Sequence, residues 1–167
     1  SMKKKLIVIG NGMAGARVVE EILKRDSDQF EITMFGAEPY GNYNRILLSN
    51  VLNQSQDVCE ITMNPLSWYE ENNIKPVELE ELIKRSDVIT LHLPLDDSTK
   101  NIMNKDRLQM LRKNAILINL ARGGLIDESA LKELLLDNLI SGAALDVFEV
   151  EPPIDPTFVA MDNVLIT

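Results

Sequence analysis

Three glycines near the start of the chain have the spacing of a phosphate-binding loop. Gly10, Gly12 and Gly15 form G-x-G-x-x-G within VIGNGMAGARVVEE, after an apolar run and at the start of a helical pattern. In this context the first glycine permits a tight turn, the second lets the backbone approach a pyrophosphate, and the third lets helix and strand pack closely. Free N–H groups at the helix start, beginning with Met13 and Ala14, then face the anion. The pattern predicts a dinucleotide site, and the alternative is a set of glycines that serve packing alone.

A dinucleotide site of this type also needs an acidic residue after the second strand, where a carboxylate binds a ribose hydroxyl. Glu38 follows the predicted second strand, FEITMFG, slightly later than in the simplest pattern. No arginine adjoins Glu38 to accept a 2′-phosphate. The sequence therefore favours a cofactor with a free 2′-hydroxyl.

Further candidate residues follow or end apolar runs in the second half of the chain. Arg122 comes after NAILINLA, and Asp146 lies near the end of ISGAALDVF. Ligands of open α/β sheets bind beyond the carboxyl ends of the strands, and an arginine there can hold a carboxylate or phosphate through two hydrogen bonds. For Asp146, a polar role in a groove and a simple role at the strand end both stay open. His92, the one histidine of the chain, lies inside the strand-like run DVITLHLPL and is predicted to be a groove or core residue rather than a catalytic one.

The composition is that of a soluble globular domain with an acidic surface. The 167 residues are 45% hydrophobic, 26% charged and 5% aromatic, and the formal net charge is -9. A negative surface repels nucleic acid and anionic membranes, because binding of phosphate groups needs clustered Lys and Arg. No apolar run approaches the roughly 18 residues of a membrane span. We therefore expect neither nucleic acid nor membrane as a partner.

Cysteine usage indicates a reducing environment. Cys59 is the one cysteine, so the chain can form no internal disulfide, and no paired-cysteine motif for a metal is present. We therefore expect no metal site and a cytoplasmic protein. The first two residues, Ser1 and Met2, suggest a remnant of an expression vector.

Short aliphatic runs alternate with amphipathic helical patterns along the chain. Seven runs are predicted as strands: KLIVIG, FEITMFG, the weak NIKPV, DVITLHLPL, NAILINLA, ISGAALDVF and NVLIT. This alternation predicts an α/β fold, and right-handed crossovers favour a doubly wound, mainly parallel, Rossmann-like sheet with helices on both faces. The expected strand order is 3-2-1-4-5-6-7, which places the first strand beside the fourth. We expect residues 1–167 to form a single domain of this kind.

The first part of the chain resembles the FAD-binding domain of the pyridine nucleotide-disulfide oxidoreductases, in the branch of the nitrite reductase large subunit and rubredoxin reductase. The resemblance rests on KLIVIGNGMAGARVVEEIL, ITMFGAEPYGNYNRILLSNVL and ITMNPLSWYEENNIKPV within residues 1–77. It implies that the stretch from Glu38 to Ser49, with Arg45, wraps the ADP half of a flavin. The later flavin-binding segments of that family and its second, NAD-binding domain have no match in the sequence.

Residues 78–167 resemble a different family, the D-isomer-specific 2-hydroxyacid dehydrogenases, which include phosphoglycerate dehydrogenase. The resemblance rests on the run from LEELIKRSDVITLHLPL to NAILINLARGGLIDESALKELL, and on ISGAALDVFEVEPP. It implies that Arg122 binds the substrate carboxylate, that Glu151 orients a catalytic histidine and that Asp146 lies near a nicotinamide. It also implies a cofactor groove lined by other residues of this half: His92, Leu93 and Pro94 on one side, and Leu120 and Ala121 opposite.

A proton-carrying histidine is the missing part of this dehydrogenase-like site. In the family it follows shortly after the strand that NVLIT matches, whereas this sequence ends at Thr167. The substrate-binding domain has no match either. We therefore expect binding of NAD or FAD, which share an ADP moiety, and no complete catalytic machinery in this chain alone. Two alternatives stay open: an oxidoreductase that takes its base and substrate domain from a partner chain, and a flavoprotein module.

The two resemblances together predict a chimera with a seam near Val77 to Leu79. Both parent families build Rossmann-like sheets, so strands of one half can pair with strands of the other, with LIVIG against VITLHL at the centre. Engineering or deliberate recombination of fragments is favoured over natural fusion. The dehydrogenase family dimerises through its cofactor domain, but the front half does not carry that interface, so a homodimer and a monomer both stay open.

Overall fold

A single sheet of six parallel strands lies at the centre of the described chain. The computed structural model describes residues 2–10, 13–25, 29–35, 67, 71, 78–152 and 154–167. The strands are β1 Lys4–Ile9, β2 Phe30–Phe35, β3 Val88–Leu91, β4 Ile116–Asn119, β5 Gly142–Leu145 and β6 Val164–Ile166. The helices are α1 Met13–Arg25, α2 Leu79–Arg85, α3 Lys105–Gln109, α4 Glu128–Leu136 and α5 Pro156–Val159, with a 3₁₀ turn at Gly123–Leu125.

The order of the strands is β2-β1-β3-β4-β5-β6, and every neighbouring pair is parallel. This confirms the predicted α/β, Rossmann-like fold, because the predicted strands one, two and four to seven take their expected places as β1, β2 and β3 to β6. The predicted third strand, NIKPV, lies at residues 73–77, outside the described residues. The chain passes from β2 on one side of β1 to β3 on the other. The switch point of the sheet, where open α/β folds bind ligands, is therefore the gap between β1 and β3.

The pairing of β1 with β3 is the contact that joins the part of the sheet before residue 78 to the part after it. The register runs from Leu6 opposite Val88 to Ile9 opposite Leu91. Beyond the strands, the backbone N–H of His92 donates to the carbonyl oxygen of Ile9 at 2.7 Å. The predicted contact of the first strand with the fourth predicted strand is thus confirmed, and it extends to the carboxyl edge of the sheet.

Apolar side chains pack on both faces of the sheet, which is why its strands consist of aliphatic runs without polar alternation, although Ile116 of β4 and Leu165 of β6 are 40% and 63% exposed. Leu6 and Val8 of β1 pack with Val19 of α1 on one face. Successive strand side chains point to opposite faces, and Ile7 and Ile9 accordingly belong to a larger, separate cluster. That cluster includes a buried residue from each of α2, α3, α4 and α5, namely Leu82, Leu108, Leu131 and Phe158. Helices pack on both faces, as predicted.

Side chains at the starts of α3 and α4 fix where these helices begin. The side chain of Asn104 accepts a hydrogen bond from the backbone N–H of Arg107 at 2.9 Å. The side chain of Asp127 accepts one from Ala130 at 3.1 Å. Each bond satisfies a backbone donor that has no partner within the helix. The helices therefore start where the sequence places an Asn or Asp before the amphipathic pattern.

A polar cluster centred on Asp87 ties together the amino ends of three strands. One carboxylate oxygen of Asp87 accepts the backbone N–H of Lys5, in β1, at 2.9 Å. The other accepts from the side chains of Arg112 at 3.3 Å and Asn114 at 3.1 Å, just before β4. The Lys5 N–H above all, with Asn114 and Arg112, lowers the pKa of Asp87 from its ordinary value, while burial works in the opposite direction. The carboxylate form of Asp87 is the one that fits this junction.

Two kinds of feature do not occur in the described part of the chain. None of its helices combines the length and the apolar character needed to cross a bilayer. None of its His, Cys, Asp and Glu side chains form a group of three or more that could hold a metal ion.

Candidate functional site

The turn from β1 into α1 is the first part of the candidate site. Gly10 has a φ of +113°, and a Cβ there would lie 2.2 Å from the carbonyl oxygen of His92. A Cβ on Gly15 would lie 2.0 Å from the carbonyl oxygen of Gly10. Neither position has room for a side chain, and Gly10 also has a backbone conformation that other residues rarely adopt. Helix α1 consequently begins directly beside the carboxyl ends of β1 and β3.

The electrostatics of this turn favour an anion. Helix α1 has 13 residues, no acidic residue in its first turn, and Lys24 and Arg25 in its last turn. Its amino end therefore carries unneutralised partial positive charge and free N–H groups. Ala14, in the first turn, is exposed. Gly12, Glu38 and Arg45 lie outside the described residues, and their predicted roles stay predictions.

His92 lies at the end of β3, half-buried beside Gly10. Its Nε2 is 2.8 Å from the hydroxyl oxygen of Thr90, a buried residue of β3. Burial lowers the pKa of His92 from its ordinary value of 6.5, because a charged ring would lose hydration. The ring is therefore neutral at neutral pH, which fits a groove residue better than a proton donor. Pro94, two positions later, is exposed, and its carbonyl oxygen accepts from the hydroxyl of Thr99 at 2.6 Å.

The turn that follows β4 presents Arg122. Asn119, the last residue of β4, is 1% exposed; its Oδ1 accepts from the Ala121 N–H at 3.1 Å and its Nδ2 donates to the Arg122 carbonyl oxygen at 2.9 Å. The Arg122 side chain is exposed and donates to the carbonyl oxygen of Ala121 at 2.6 Å. Among the described residues it forms no ion pair. The charge of Arg122 is thus available to an anionic ligand.

A cleft of about 830 Å³ opens beside Arg122. Three segments of the chain line it, through Leu95, Lys100 and Asn101, through residues 121–124, and through Val147, Phe148, Glu149 and Glu151. Lys100 and Arg122 contribute positive charge, while Glu149 and Glu151 contribute negative charge on the third segment. This volume is in the range of sites for small molecules and cofactors.

Of the predicted site residues, Ala121, Arg122 and Glu151 meet in this cleft, whereas Asp146 does not line it. The Oε1 of Glu151 accepts the backbone N–H of Phe148 at 2.6 Å, which closes the loop after β5. The carboxylate of Asp146 accepts from the hydroxyl of Thr167 at 2.8 Å, and its N–H donates to the carbonyl oxygen of Asn119 at 3.1 Å. Asp146 therefore connects the carboxyl ends of β4, β5 and β6.

The acidic wall of the cleft continues into a reciprocal contact of two glutamates. The N–H of Glu128 donates to a carboxylate oxygen of Glu149 at 3.4 Å, and the N–H of Glu149 donates to the carboxylate of Glu128. Burial raises the pKa of Glu128, and the charges of Glu149, Asp155 and Glu151 add to the effect, although the Glu149 N–H opposes it. This wall resists further negative charge, so an anion entering the cleft is directed towards Lys100 and Arg122.

Two residues of the site were missed by the interpretation of the sequence. Asn119 is the polar residue at the end of the aliphatic run ILIN, and a polar residue at that place was an available signal. Gly123 packs on a different loop, where a Cβ would lie 2.0 Å from the carbonyl oxygen of Phe148. No local pattern reveals that contact, because the two segments are far apart in sequence.

Comparison with known proteins gives one matching family and relatives of two kinds, dehydrogenases and nitrite reductase. Residues 57–167 match the model of the family described as D-isomer specific 2-hydroxyacid dehydrogenase, NAD binding domain. The chain is 38% identical over 165 residues to D-3-phosphoglycerate dehydrogenase of Methanocaldococcus jannaschii, covering 98% of this chain and 26% of that protein. It is 57% identical over 82 residues to the NAD(P)H nitrite reductase of Bacillus subtilis, covering 49% of this chain and 10% of that protein. The chain thus spans about a quarter or less of these two curated relatives.

Solved structures agree with the family match. A D-isomer specific 2-hydroxyacid dehydrogenase from Xanthobacter autotrophicus Py2, in complex with NADPH and MES, aligns with a TM-score of 0.73 and 29% identity, covering 98% of this chain and 57% of that chain. The NAD-complexed form of a D-isomer specific 2-hydroxyacid dehydrogenase from Lactobacillus delbrueckii ssp. bulgaricus aligns with a TM-score of 0.71 and 25% identity, covering 98% of this chain and 45% of that chain. Similarity of fold therefore extends over nearly the whole chain.

Proposed function

The chain belongs to the family of D-isomer specific 2-hydroxyacid dehydrogenase NAD-binding domains, and on that premise we propose that it binds NAD at the turn between β1 and α1. In this proposal the backbone amides from Gly10 and Gly12 to Gly15, with those of Met13 and Ala14 between them, hold the pyrophosphate. Glu38 binds the ribose of the adenosine half. When bound, NAD supplies hydride transfer, and the protein supplies binding and orientation.

The observation that carries this proposal is the close approach at Gly10 and Gly15. Neither position tolerates a Cβ, and the helix that starts there has no carboxylate in its first turn. Packing alone would account for the missing side chains. It does not account for an amino end without acidic residues at the switch point of a parallel sheet, where such folds bind nucleotides.

The remaining groove residues extend the proposed site along the carboxyl edge of the sheet. His92 and Pro94 follow β3, Ala121 follows β4 and Asp146 follows β5. A dinucleotide that lies across the switch point runs along these strand ends. The neutral, partly buried ring of His92 can line such a groove without placing a charge there.

Arg122 is the proposed anchor for the carboxylate of a 2-hydroxy or 2-oxo acid. Its guanidinium is exposed, lines the cleft and faces no acidic partner among the described residues. Two parallel hydrogen bonds from a guanidinium suit a carboxylate. Glu151 lines the same cleft, where it would orient and tune a histidine supplied from elsewhere.

We further propose that the chain by itself binds without turning over substrate. Hydride transfer from a hydroxyl group needs a base near neutral pH. The one histidine, His92, is bonded to Thr90 and does not line the Arg122 cleft. A further polypeptide that brings an acid/base residue to Glu151 would complete an oxidoreductase.

The hybrid origin of the chain remains part of this proposal. The 57% identity to nitrite reductase over about half of the chain supports a flavoprotein-derived part, while the family match over residues 57–167 supports a dehydrogenase-derived part. An engineered or recombined hybrid would combine the two at a shared sheet. FAD stays the alternative ligand for the same ADP site, because that part carries the glycine loop.

Calorimetric titration of the purified chain with NAD, FAD and ADP tests the binding proposal. We expect saturable binding of NAD and ADP, and its loss in Gly12→Val, whose side chain would occupy the space of the pyrophosphate. Arg17→Ala changes an exposed residue on α1 that pairs with Glu21, and it should leave binding intact. Unchanged affinity in Gly12→Val would contradict a pyrophosphate site at this loop.

Two further observations separate the alternatives. A yellow preparation, or FAD binding tighter than NAD binding, would favour the flavoprotein reading. Oxidation of NADH with a 2-oxo acid by the isolated chain would contradict the proposal that it lacks a proton carrier. Activity that appears only after addition of a second polypeptide would favour the oxidoreductase with a partner chain.

A further inference from the structure

Asn119 is a buried polar residue whose hydrogen bonds serve one short turn. Its side chain is almost fully enclosed, yet both ends of its amide are used, with Oδ1 accepting from Ala121 N–H and Nδ2 donating to the Arg122 carbonyl oxygen. Buried polar groups are costly unless they are hydrogen-bonded. The pair of bonds therefore closes the turn from the end of β4 to Arg122 in one arrangement.

The strand itself fixes where this amide stands. Asn119 is paired with Leu91 of β3 and Leu145 of β5, so its backbone is held on both sides. Its carbonyl oxygen also accepts the N–H of Asp146 at 3.1 Å. The rigid centre of the sheet is thus connected through one side chain to the residue that presents a guanidinium to the cleft.

Arg122 has little else to hold it. Its guanidinium contacts the carbonyl oxygen of Ala121, and the Ala121 N–H is itself bonded to Asn119. No described carboxylate pairs with Arg122. The direction of the Arg122 side chain consequently depends on the turn that Asn119 closes.

An asparagine is the side chain that this turn requires. The turn offers one donor, at Ala121, and one acceptor, at Arg122, and a neutral amide matches both. An aspartate would match the donor but would place a second oxygen against the Arg122 carbonyl oxygen. An alanine would leave a backbone donor and an acceptor without their partner.

We propose that Asn119 is a positioning residue that holds Arg122 in place to bind the carboxylate of a small 2-oxo or 2-hydroxy acid. The inference rests on the proposed function of Arg122. It adds a residue that does not line the cleft and acts through the turn.

Binding of pyruvate to the full chain tests this inference. The Arg122 side-chain Nε–Hε resonance, identified by its loss in Arg122→Ala, reports binding in an NMR titration of the wild-type chain, and the backbone amide resonances of Gly123 and Gly124, which line the cleft, report binding in every variant. We expect pyruvate-dependent shifts of these resonances in the wild-type chain, no shift of the two glycine amides in Arg122→Ala, and an affinity weakened by about tenfold in Asn119→Ala, since the two hydrogen bonds that close the turn before Arg122 are lost. Protection of the Ala121 amide from hydrogen exchange should fall in the same variant.

Asn163→Ala is the matched control. The side chain of Asn163 also donates to a backbone carbonyl oxygen, that of Leu135 at 3.0 Å, but it does not line the Arg122 cleft. This variant should lose stability while keeping its pyruvate affinity. An effect of Asn119 that merely reflected general loss of stability would appear in both variants.

A second variant distinguishes positioning from packing. In Asn119→Asp the ionised carboxylate cannot donate to the Arg122 carbonyl oxygen, whereas the protonated form can. Lowering the pH from about 7.5 to about 5.5 should protonate part of this carboxylate, because burial raises the pKa of a carboxyl group. The pyruvate affinity of Asn119→Asp should therefore come closer to that of the wild type measured at the same pH.

Each outcome bears on a different claim. Unchanged pyruvate affinity in Asn119→Ala, with binding lost in Arg122→Ala, would overturn the role of Asn119 and leave that of Arg122 intact. Absence of any pyruvate-dependent shift in the wild-type chain would overturn both roles, while NAD binding at the glycine loop would be judged separately by its own titration.

Discussion

Gly10 and Gly15 matter because they have no Cβ. At Gly10 a positive φ and the nearby backbone of His92 both exclude a side chain, and at Gly15 the carbonyl oxygen of Gly10 does so. The result is a helix start placed against two strand ends. Asn119 shows the opposite case, in which a residue acts through two hydrogen bonds made by one buried amide.

The glycine positions differ in how much an added methyl group would lower the free energy of unfolding. Gly10→Ala should lower the free energy of unfolding by about 2 kcal/mol or more, because the new Cβ would be strained by the backbone and would collide with the His92 backbone. The measurement is urea denaturation followed by circular dichroism. Gly124→Ala is the control, since its Cβ would meet the flexible end of Leu95, and its cost should be smaller. An equal loss of stability in the two variants would contradict the claim that the turn at Gly10 has no room for a side chain.

At the scale of elements, short polar contacts set the ends of strands and helices. Caps at Asn104 and Asp127 start α3 and α4, and Asp87 joins the amino ends of β1, β3 and β4. One carboxylate thereby joins the amino ends of three strands. The proposed site lies at the opposite, carboxyl edge, where Asp146 connects β4, β5 and β6.

The Asp87 junction should make stability depend on acid pH. The pKa of Asp87 in the folded chain is below its ordinary value of 3.8, so its contribution is fully present above that value and is lost as the pH falls through the folded pKa. At pH 7, Asp87→Asn should lower the free energy of unfolding by about 1–3 kcal/mol. The gap to the wild type should close in acid, as measured by urea denaturation across pH.

Asp97→Asn is the control for this junction, because Asp97 is exposed and lies outside the cluster. We expect this variant to change the free energy of unfolding only slightly at pH 7. A gap for Asp87→Asn that stayed constant down to pH values well below 3.8 would show that the carboxylate itself is not what stabilises the junction.

At the scale of the whole molecule, the ladder between β1 and β3 decides whether the two parts of the chain behave as one unit. The register is continuous from Leu6 to Ile9 on β1, and His92 adds a further bond beyond it. The larger apolar cluster also crosses this boundary, since Ile7 and Ile9 of β1 pack with Ile89 and Leu91 of β3. One core therefore contains side chains from both parts.

We expect this shared core to give a single unfolding transition. Hydrogen exchange of amides in β1 and in β5 should report the same free energy of unfolding, and Ile89→Ala should lower both by about 2–4 kcal/mol. Ile116→Ala, at a position 40% exposed, should cost less. A β1 that exchanges at a much lower free energy than β5 would show that the front part unfolds separately.

The sequence by itself determined the order of elements, the parallel sheet, the glycine turn and the place of Arg122 after β4. These are local properties, because aliphatic runs, caps and glycine spacing act within a few residues along the chain. The role of Asn119, the pairing of Gly123 with Phe148 and the junction at Asp87 were decided only by the tertiary structure. Each of these contacts depends on how neighbouring strands and the loops after them align in space. A hydrogen bond, or the absence of a Cβ, also leaves no periodic pattern in the sequence.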